Sequence, residues 1–244
     1  MAIIALAGKI SSGKDTVGNL IKDINCENNW EIKKFAAKLK ETASLLTGIP
    51  VEKFEDQDFK NTFLDDHWNK EVFENKTSLD KDNKAYNKSI VKPMTVRELL
   101  QILGTEAMRS NLHPDTWVNA LMCYYIKSDD KLIRTTEDLL KEWELEEWEE
   151  GSFPNWIITD LRFSNEMQAI KANGGITIRV VRPCLKCGGN GYHKLSCSEQ
   201  YQKQHESETA LDGVTFDYEI INDGTLEDLK EKVEGIILHI NLNK

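Results

Sequence analysis

Gly8-Lys9-Ile10-Ser11-Ser12-Gly13-Lys14-Asp15-Thr16 reads G-x-x-x-x-G-K-D-T, and its setting decides the fold. Before it runs Ala2-Ile3-Ile4-Ala5-Leu6-Ala7, a short apolar stretch of the kind that forms a strand buried on both faces. After it, Val17, Leu20, Ile21 and Ile24 recur at helical spacing and predict a helix from Lys14 to about Ile24. A strand that turns into a helix through two glycines is the context in which this pattern binds phosphate. The glycines let backbone N–H groups turn inward around phosphate oxygens, and the helix N-terminus favours negative charge. Gly8, Ser11, Ser12, Gly13, Lys14, Asp15 and Thr16 are therefore candidate contacts, with Lys14 reaching the β- and γ-phosphates as a point charge. Asp15 stands where Ser or Thr commonly meets Mg²⁺. A carboxylate is a hard oxygen ligand that holds the ion directly or through water, which leaves Thr16 for an inner phosphate.

Working outward, the pattern alternates strand and helix. A weaker strand is expected near Trp30–Phe35, then a helix through Leu39, Ala43 and Leu46 to Gly48. Residues 50–93 turn polar, with few periodic apolar positions, and read as an excursion from the core. Thr95-Val96-Arg97-Glu98 has the form of a capping box opening a helix through Leu99, Leu100, Ile102 and Leu103. A helix over about Pro114–Ile126 follows, then the apolar run Trp156-Ile157-Ile158-Thr159-Asp160. Next come a helix near Asn165–Ala172, the strand Ile176–Val181, the strand Tyr218–Ile221, and a last helix capped by Thr225 and Asp228. Alternation of this kind predicts a three-layer α/β/α fold over 1–244, with a five-stranded parallel sheet covered on both faces.

Of 244 residues 41 are acidic and 31 basic, a net charge of −10, and hydrophobics make up 40%. That composition describes a globular chain, and its acidity argues against a dedicated nucleic-acid partner. The charge is local: residues 137–150 carry eight acids and one base, a balance of −7, so the rest of the chain carries only −3. No apolar run approaches the roughly 20 residues that span a bilayer, so no membrane partner is expected. The N-terminus lacks the features of a secretory leader, and with no sign of disulfide use the expected location is cytoplasmic. The oligomeric state is left open, a homodimer among the options.

Three of the five cysteines cluster in Cys184-Leu185-Lys186-Cys187-Gly188-Gly189-Asn190-Gly191-Tyr192-His193-Lys194-Leu195-Ser196-Cys197, a C-x2-C-x5-H-x3-C spacing. Two thiolates two residues apart chelate one ion, and His193 and Cys197 complete a tetrahedron for a structural Zn²⁺, with His205 a substitute ligand. Free thiols in a loop, or a disulfide, are the other readings. Cys26 and Cys123 read as small buried thiols.

A phosphate loop alone serves GTPases, motors and small-molecule kinases. One short chain, one such loop and scattered basic residues favour a kinase. At that point the sequence resembles the bacteriophage-type deoxynucleoside monophosphate kinase family. The matching segments are Gly13-Lys14-Asp15-Thr16, Phe35-Ala36-Ala37-Lys38-Leu39-Lys40, Asp58-Phe59-Lys60-Asn61, Val96–Glu106, Ile158-Thr159-Asp160-Leu161-Arg162, Val181-Arg182-Pro183, His205-Glu206-Ser207-Glu208 and Ile221–Leu226. The resemblance implies transfer of the γ-phosphoryl of ATP to a deoxynucleoside monophosphate with Mg²⁺. It also implies that Lys40, Lys60, Arg97, Gln101 and Glu106 lie on the monophosphate side. Asp160, ending a strand, would orient Mg²⁺ or its waters, and Arg162 and Arg182 would reach the transferring phosphoryl. A plain Asp160–Arg162 turn pair, an exposed helix arginine at Arg97 and a solvated charge at Lys60 are the competing readings. Arg109 is explained as well by a solvated helix face. Asn222 and Gly224 are implied in an adenine-contacting turn, or form an ordinary tight turn. Residues 50–93 become a monophosphate-binding excursion and 183–212 a lid, whose closure would exclude water. A kinase for another small acceptor, such as dephospho-coenzyme A or a sugar, and a nucleotide-gated zinc-knuckle module are the alternatives.

Overall fold

The computed structural model describes residues 3–79, 85–126, 153–183 and 206–242. The acidic segment 137–150, the cluster Cys184, Cys187, His193 and Cys197, and His205 lie outside the described residues. The chain divides into two compact units, one of Met1–Phe35 with Trp117–Lys244 and one of Ala36–Thr116.

In the first unit, β1 (Ile3–Ala7) leads into α1 (Lys14–Ile24), and β2 (Trp30–Lys33) follows. After the second unit come α4 (Thr116–Met122), β5 (Asn155–Leu161), α5 (Ser164–Ala172), β6 (Ile176–Val181), α6 (Glu206–Thr209), β7 (Tyr218–Ile221) and α7 (Leu226–Leu242). The five strands form one sheet in the order β2-β5-β1-β6-β7, every pair parallel, with Ile4 opposite Ile157 and Ile176. The first strand is thus central, and the chain crosses it between β5 and β6. Open sheets bind ligands at such a crossing, beyond the carboxyl ends of the strands.

The pleat explains why unbroken apolar strands were needed. Ile4, Leu6, Ile157, Ile178, Val180 and Ile220 face Val17 and Ile21 of α1 and Leu229, Val233, Ile237 and Ile240 of α7. Ile3, Ala5, Ala7, Trp156 and Ile158 face the other way, onto Val118 and Leu121 of α4 and Met167 and Ile170 of α5. Each fully buried aliphatic side chain contributes roughly 1.5–3 kcal/mol by leaving water. This is a three-layer α/β/α fold with a five-stranded parallel sheet, as the strand–helix alternation predicts.

The second unit holds α2 (Ala36–Thr47), α3 (Val96–Gln101) and a π-helix over Ile102–Leu112, joined around Ala43, Phe54, Val96 and Leu103. Thr95 caps α3 through the reciprocal box: Glu98 N–H donates to Thr95 Oγ1 at 3.1 Å and Thr95 N–H to Glu98 Oε2 at 2.9 Å. Three features depart from the sequence reading. The polar stretch contains an antiparallel hairpin of β3 (Lys70–Leu79) and β4 (Ala85–Lys92), with Val72 and Val91 exposed. Where side chains are described, at 70–72 and 90–92, both strands are exposed, and exposed positions have no need of apolar alternation and so leave no signal. The α3 helix also continues as a π-helix, a difference in backbone bonding that side-chain spacing does not encode. Cys26 and Cys123 are exposed rather than buried, since both lie just beyond helix ends. Among the described residues, no helix is long and apolar enough to cross a membrane.

Candidate functional site

Two glycines shape the loop between β1 and α1. Gly13 precedes the helix at φ 98° and ψ 19°, in the left-handed region that a side chain disfavours. A Cβ on Gly8 would lie 2.3 Å from the Val180 carbonyl oxygen, so only glycine lets the chain leave β1 this close to β6. The Lys9 carbonyl accepts from Ser12 N–H at 3.2 Å and from Lys14 Nζ at 2.9 Å, which folds the lysine back over its own loop. Ser12 is 1% exposed, and its Oγ has no hydrogen-bond partner among the described residues. A buried hydroxyl left unpaired is costly, and here a phosphate oxygen is the natural partner. Burial lowers the Lys14 ammonium below its usual pKa and Arg162 adds to this, while Glu208, Asp15 and Asp160 pull the other way. A bound polyphosphate would supply the counter-charge that these leave short.

Asp15 Oδ1 lies 3.2 Å from Lys34 Nζ and accepts from Thr159 Oγ1 at 3.0 Å. Burial pushes the Asp15 carboxyl up, but the Lys34 charge and the bonds from Lys34 and Thr159 outweigh it and hold the group below its usual pKa. Asp160 Oδ1 accepts from Phe35 N–H at 2.8 Å. Among the described residues no group of three or more His, Cys, Asp or Glu side chains could hold a metal by itself. Mg²⁺ binds through one or two carboxylates together with substrate phosphates and water, so Asp15 and Asp160 beside Lys14 fit that ion in chemistry and number.

Arg162 follows β5. Its guanidinium pairs with Glu208 of α6, and its N–H and that of Phe163 both donate to Glu166 Oε2, at 2.8 and 3.0 Å. Glu166 is 1% exposed, a buried carboxylate spent on backbone. Arg182, beyond β6, is exposed. Gly8, Lys9, Ser12, Arg162, Arg182 and Glu208 line one cleft at the carboxyl ends of β1, β5 and β6. Glu208 also touches the loop itself: Oε2 accepts from Ile10 N–H at 3.3 Å, and its carbonyl accepts from Lys9 Nζ. Lys9 pairs with Asp212 as well, at 2.7 Å. On the far side of the loop, Asn222 Nδ2 donates to the Ser12 carbonyl at 2.9 Å. Gly224 passes so close to Asp228 that a Cβ would meet its Oδ2 at 2.4 Å, and that carboxylate caps α7 by accepting from Thr225 N–H at 2.8 Å.

In the second unit Arg97 Nε donates to Asn61 Oδ1 at 3.0 Å and a terminal nitrogen to Gln57 Oε1 at 3.4 Å. Both partners are neutral, so they aim the guanidinium without cancelling its charge. Lys60 shares the 3-10 turn Phe59–Asn61 with Asn61. Gln101 lies four residues beyond Arg97 on α3, hence on the same helix face. Lys40 is 8% exposed, with its ammonium committed to Glu55 Oε1 at 2.5 Å. Glu106 is exposed and Arg109 half-buried on the π-helix.

Lys14, Asp15, Asp160, Arg162 and Arg182 therefore gather at one end of the first unit's sheet, and Lys60, Arg97 and Gln101 near one turn of the second. Sequence reasoning passed over Lys34, Thr159 and Glu166. A hydroxyl interrupting the apolar run of β5 was a signal for Thr159, and an acid at the third helical position of α5 was one for Glu166. Lys34, beside a second lysine at the end of β2, left none.

A family model described as deoxynucleotide monophosphate kinase matches residues 51–233. The deoxynucleotide monophosphate kinase of Enterobacteria phage T4 is 27% identical over 143 residues, 59% of this chain and 45% of that relative. The aligned part thus spans less than half of the relative's length. The family match begins after the phosphate loop, so loop geometry and family match stand as separate grounds. With more than half of its length matched by one model, the chain belongs to the deoxynucleotide monophosphate kinase family.

Proposed function

We propose that the protein transfers the γ-phosphoryl group of ATP to the phosphate of a deoxynucleoside monophosphate. An acceptor phosphate oxygen attacks the γ-phosphorus, the bond from that phosphorus to the β–γ bridging oxygen breaks, and ADP and a deoxynucleoside diphosphate leave. The observation that carries this reading is the phosphate loop with its buried, unpartnered Ser12 hydroxyl and its half-buried Lys14, on a chain of this family.

The protein's task in such a transfer is positioning and charge compensation. The loop amides and Lys14 hold the β- and γ-phosphates, and Asn222 keeps the Ser12 peptide in place. Asp15, oriented by Thr159, and Asp160 are the residues that would hold Mg²⁺, which when bound neutralises phosphate charge. Arg162 and Arg182 stabilise the negative charge spread over the transferring group. Arg97, aimed by Asn61 and Gln57, takes the acceptor phosphate with two parallel N–H bonds. Lys60, Gln101 and Glu106 serve the same side, while Lys40, paired with Glu55, supports it from beneath.

The cysteine spacing supports a further part of this reading, a structural Zn²⁺ on Cys184, Cys187, His193 and Cys197, though these lie outside the described residues. The test of the activity is ADP release coupled to a chromogenic reaction, run over the four deoxynucleoside monophosphates with wild type and Lys14→Ala. Stimulation by at least one monophosphate, abolished in the variant, is expected. Stimulation by none would overturn the proposal, and stimulation by another small acceptor would redirect it.

A further inference from the structure

The Glu208 carboxylate is bound as an anion by the phosphate loop. One oxygen accepts from the Ile10 amide at 3.3 Å, the other takes the Arg162 guanidinium, and its charge acts on the Lys14 ammonium. An amide of a phosphate loop, an arginine at a strand end and the loop lysine are the three kinds of group that recognise a phosphoryl group. Only 16% of the Glu208 side chain is exposed, so the contact is shielded from water and salt. The Lys9 ammonium, bonded to the Glu208 carbonyl and to Asp212, holds the α6 segment against the loop in the same arrangement.

We infer that Glu208 is a built-in competitor for the terminal phosphate of the donor, and so sets how strongly the site distinguishes a nucleoside triphosphate from a diphosphate. This rests on the donor site proposed above. The carboxylate and a γ-phosphate cannot share the Ile10 amide and Arg162, because two anions on one set of donors repel and one must leave. Binding of a triphosphate therefore includes the cost of detaching Glu208, and its reward is the release of Arg162 to the transferring group. A diphosphate, which leaves the outer part of the loop empty, binds without disturbing the pair. The site is thereby kept from holding ATP tightly with Arg162 still occupied.

Glu208→Gln keeps the shape and removes the charge. Isothermal titration of the full chain with ATP and with ADP, each with Mg²⁺, reads the effect. Losing a charge-assisted competitor is expected to tighten ATP binding by about tenfold and ADP binding by less than about twofold. Glu208→Ala gives a second reading of the same ratio should the glutamine variant misfold. Asp212→Asn, which frees Lys9 from its side-chain partner while leaving the Glu208 carboxylate, is expected to leave the ATP-to-ADP ratio at the wild-type value. An unchanged ratio in both Glu208 variants, or weaker ATP binding, overturns the inference while leaving the donor site intact. Wild-type protein that binds no nucleoside triphosphate overturns the donor site as well.

Discussion

The side-chain amide of Asn222 donates to the carbonyl of Ser12 at 2.9 Å, which ties the end of the last sheet strand to the middle of the phosphate loop. The contact is close on both sides, for a Cβ on Gly13 would meet the Asn222 Nδ2 at 2.6 Å. Asn222→Ala removes one hydrogen bond from a half-buried peptide and is expected to cost about 1 kcal/mol of stability. Asn222→Asp sets a carboxylate against that carbonyl and near the bound phosphates. It is expected to raise the KM for ATP more than the alanine does, with the KM of the acceptor unchanged. Initial rates with each substrate varied in turn check this.

Lys14→Met keeps the aliphatic stem and removes the charge that Lys9 now holds. Loss of one preorganised charge at a transferring phosphoryl group costs about 10²–10³-fold in kcat. Thermal unfolding should show the variant no less stable than wild type, because burial of the ammonium is unfavourable without bound phosphate. A large loss of melting temperature would instead make Lys14 a structural residue.

On the acceptor side, Arg97→Ala is expected to raise the KM for the monophosphate about tenfold or more, the value of a lost charged pair of hydrogen bonds. ATP binding, titrated alone, should not change. Arg97→Lys keeps the charge and loses the two-pronged geometry, so it should recover only part of the affinity. Equal effects on both substrates would rule out an acceptor role.

The cap of α3 makes a pH prediction. The bond from the Thr95 amide, with help from Lys92, holds the Glu98 carboxyl down at about 2 against a usual 4.5. A carboxyl with a lowered folded pKa contributes stability that is full above 4.5 and is lost as pH falls from 4.5 toward 2. The stability difference between wild type and Glu98→Gln, measured by urea unfolding, should therefore shrink across that interval. The Glu98 side chain is 36% exposed, so solvent screens the effect and keeps it small, and Thr95→Ala should cost more, about 1 kcal/mol.

Zinc is expected in protein purified without a histidine tag, and Cys187→Ser should lose it together with part of the thermal stability. Metal analysis finding none in the wild type removes the zinc reading and leaves the kinase reading standing.

The parts legible in the sequence are those in which one chemical requirement acts on consecutive residues. Strands buried on both faces must be apolar throughout, so β1, β5 and β6 were readable to within a residue or two. Both capping boxes were readable because the cap is a local bond between residues three apart, Thr95 with Glu98 and Thr225 with Asp228. The β3–β4 hairpin was not, since its exposed positions at 70–72 and 90–92 place no demand on pattern. In the site, Lys14 and Asp15 were legible from their loop. The partners that orient them were not: Lys34 lies 19 positions from Asp15, and Thr159 lies 144 positions away. Pairings made across the sheet are set by topology, which spacing along the chain does not contain.

Glu166, the buried carboxylate that accepts from two backbone N–H groups, separates two kinds of freedom at Arg162. The peptide N–H groups of Arg162 and Phe163 share one buried acceptor, so the Cα of the arginine is an anchored point. Whatever the guanidinium does on leaving Glu208 is then rotation about side-chain bonds alone. Such swings take place in nanoseconds or less and ask nothing of the strand, which puts them far ahead of any turnover. If Glu208 gives way to a donor phosphate as inferred above, Arg162 turns like a needle on a fixed pin.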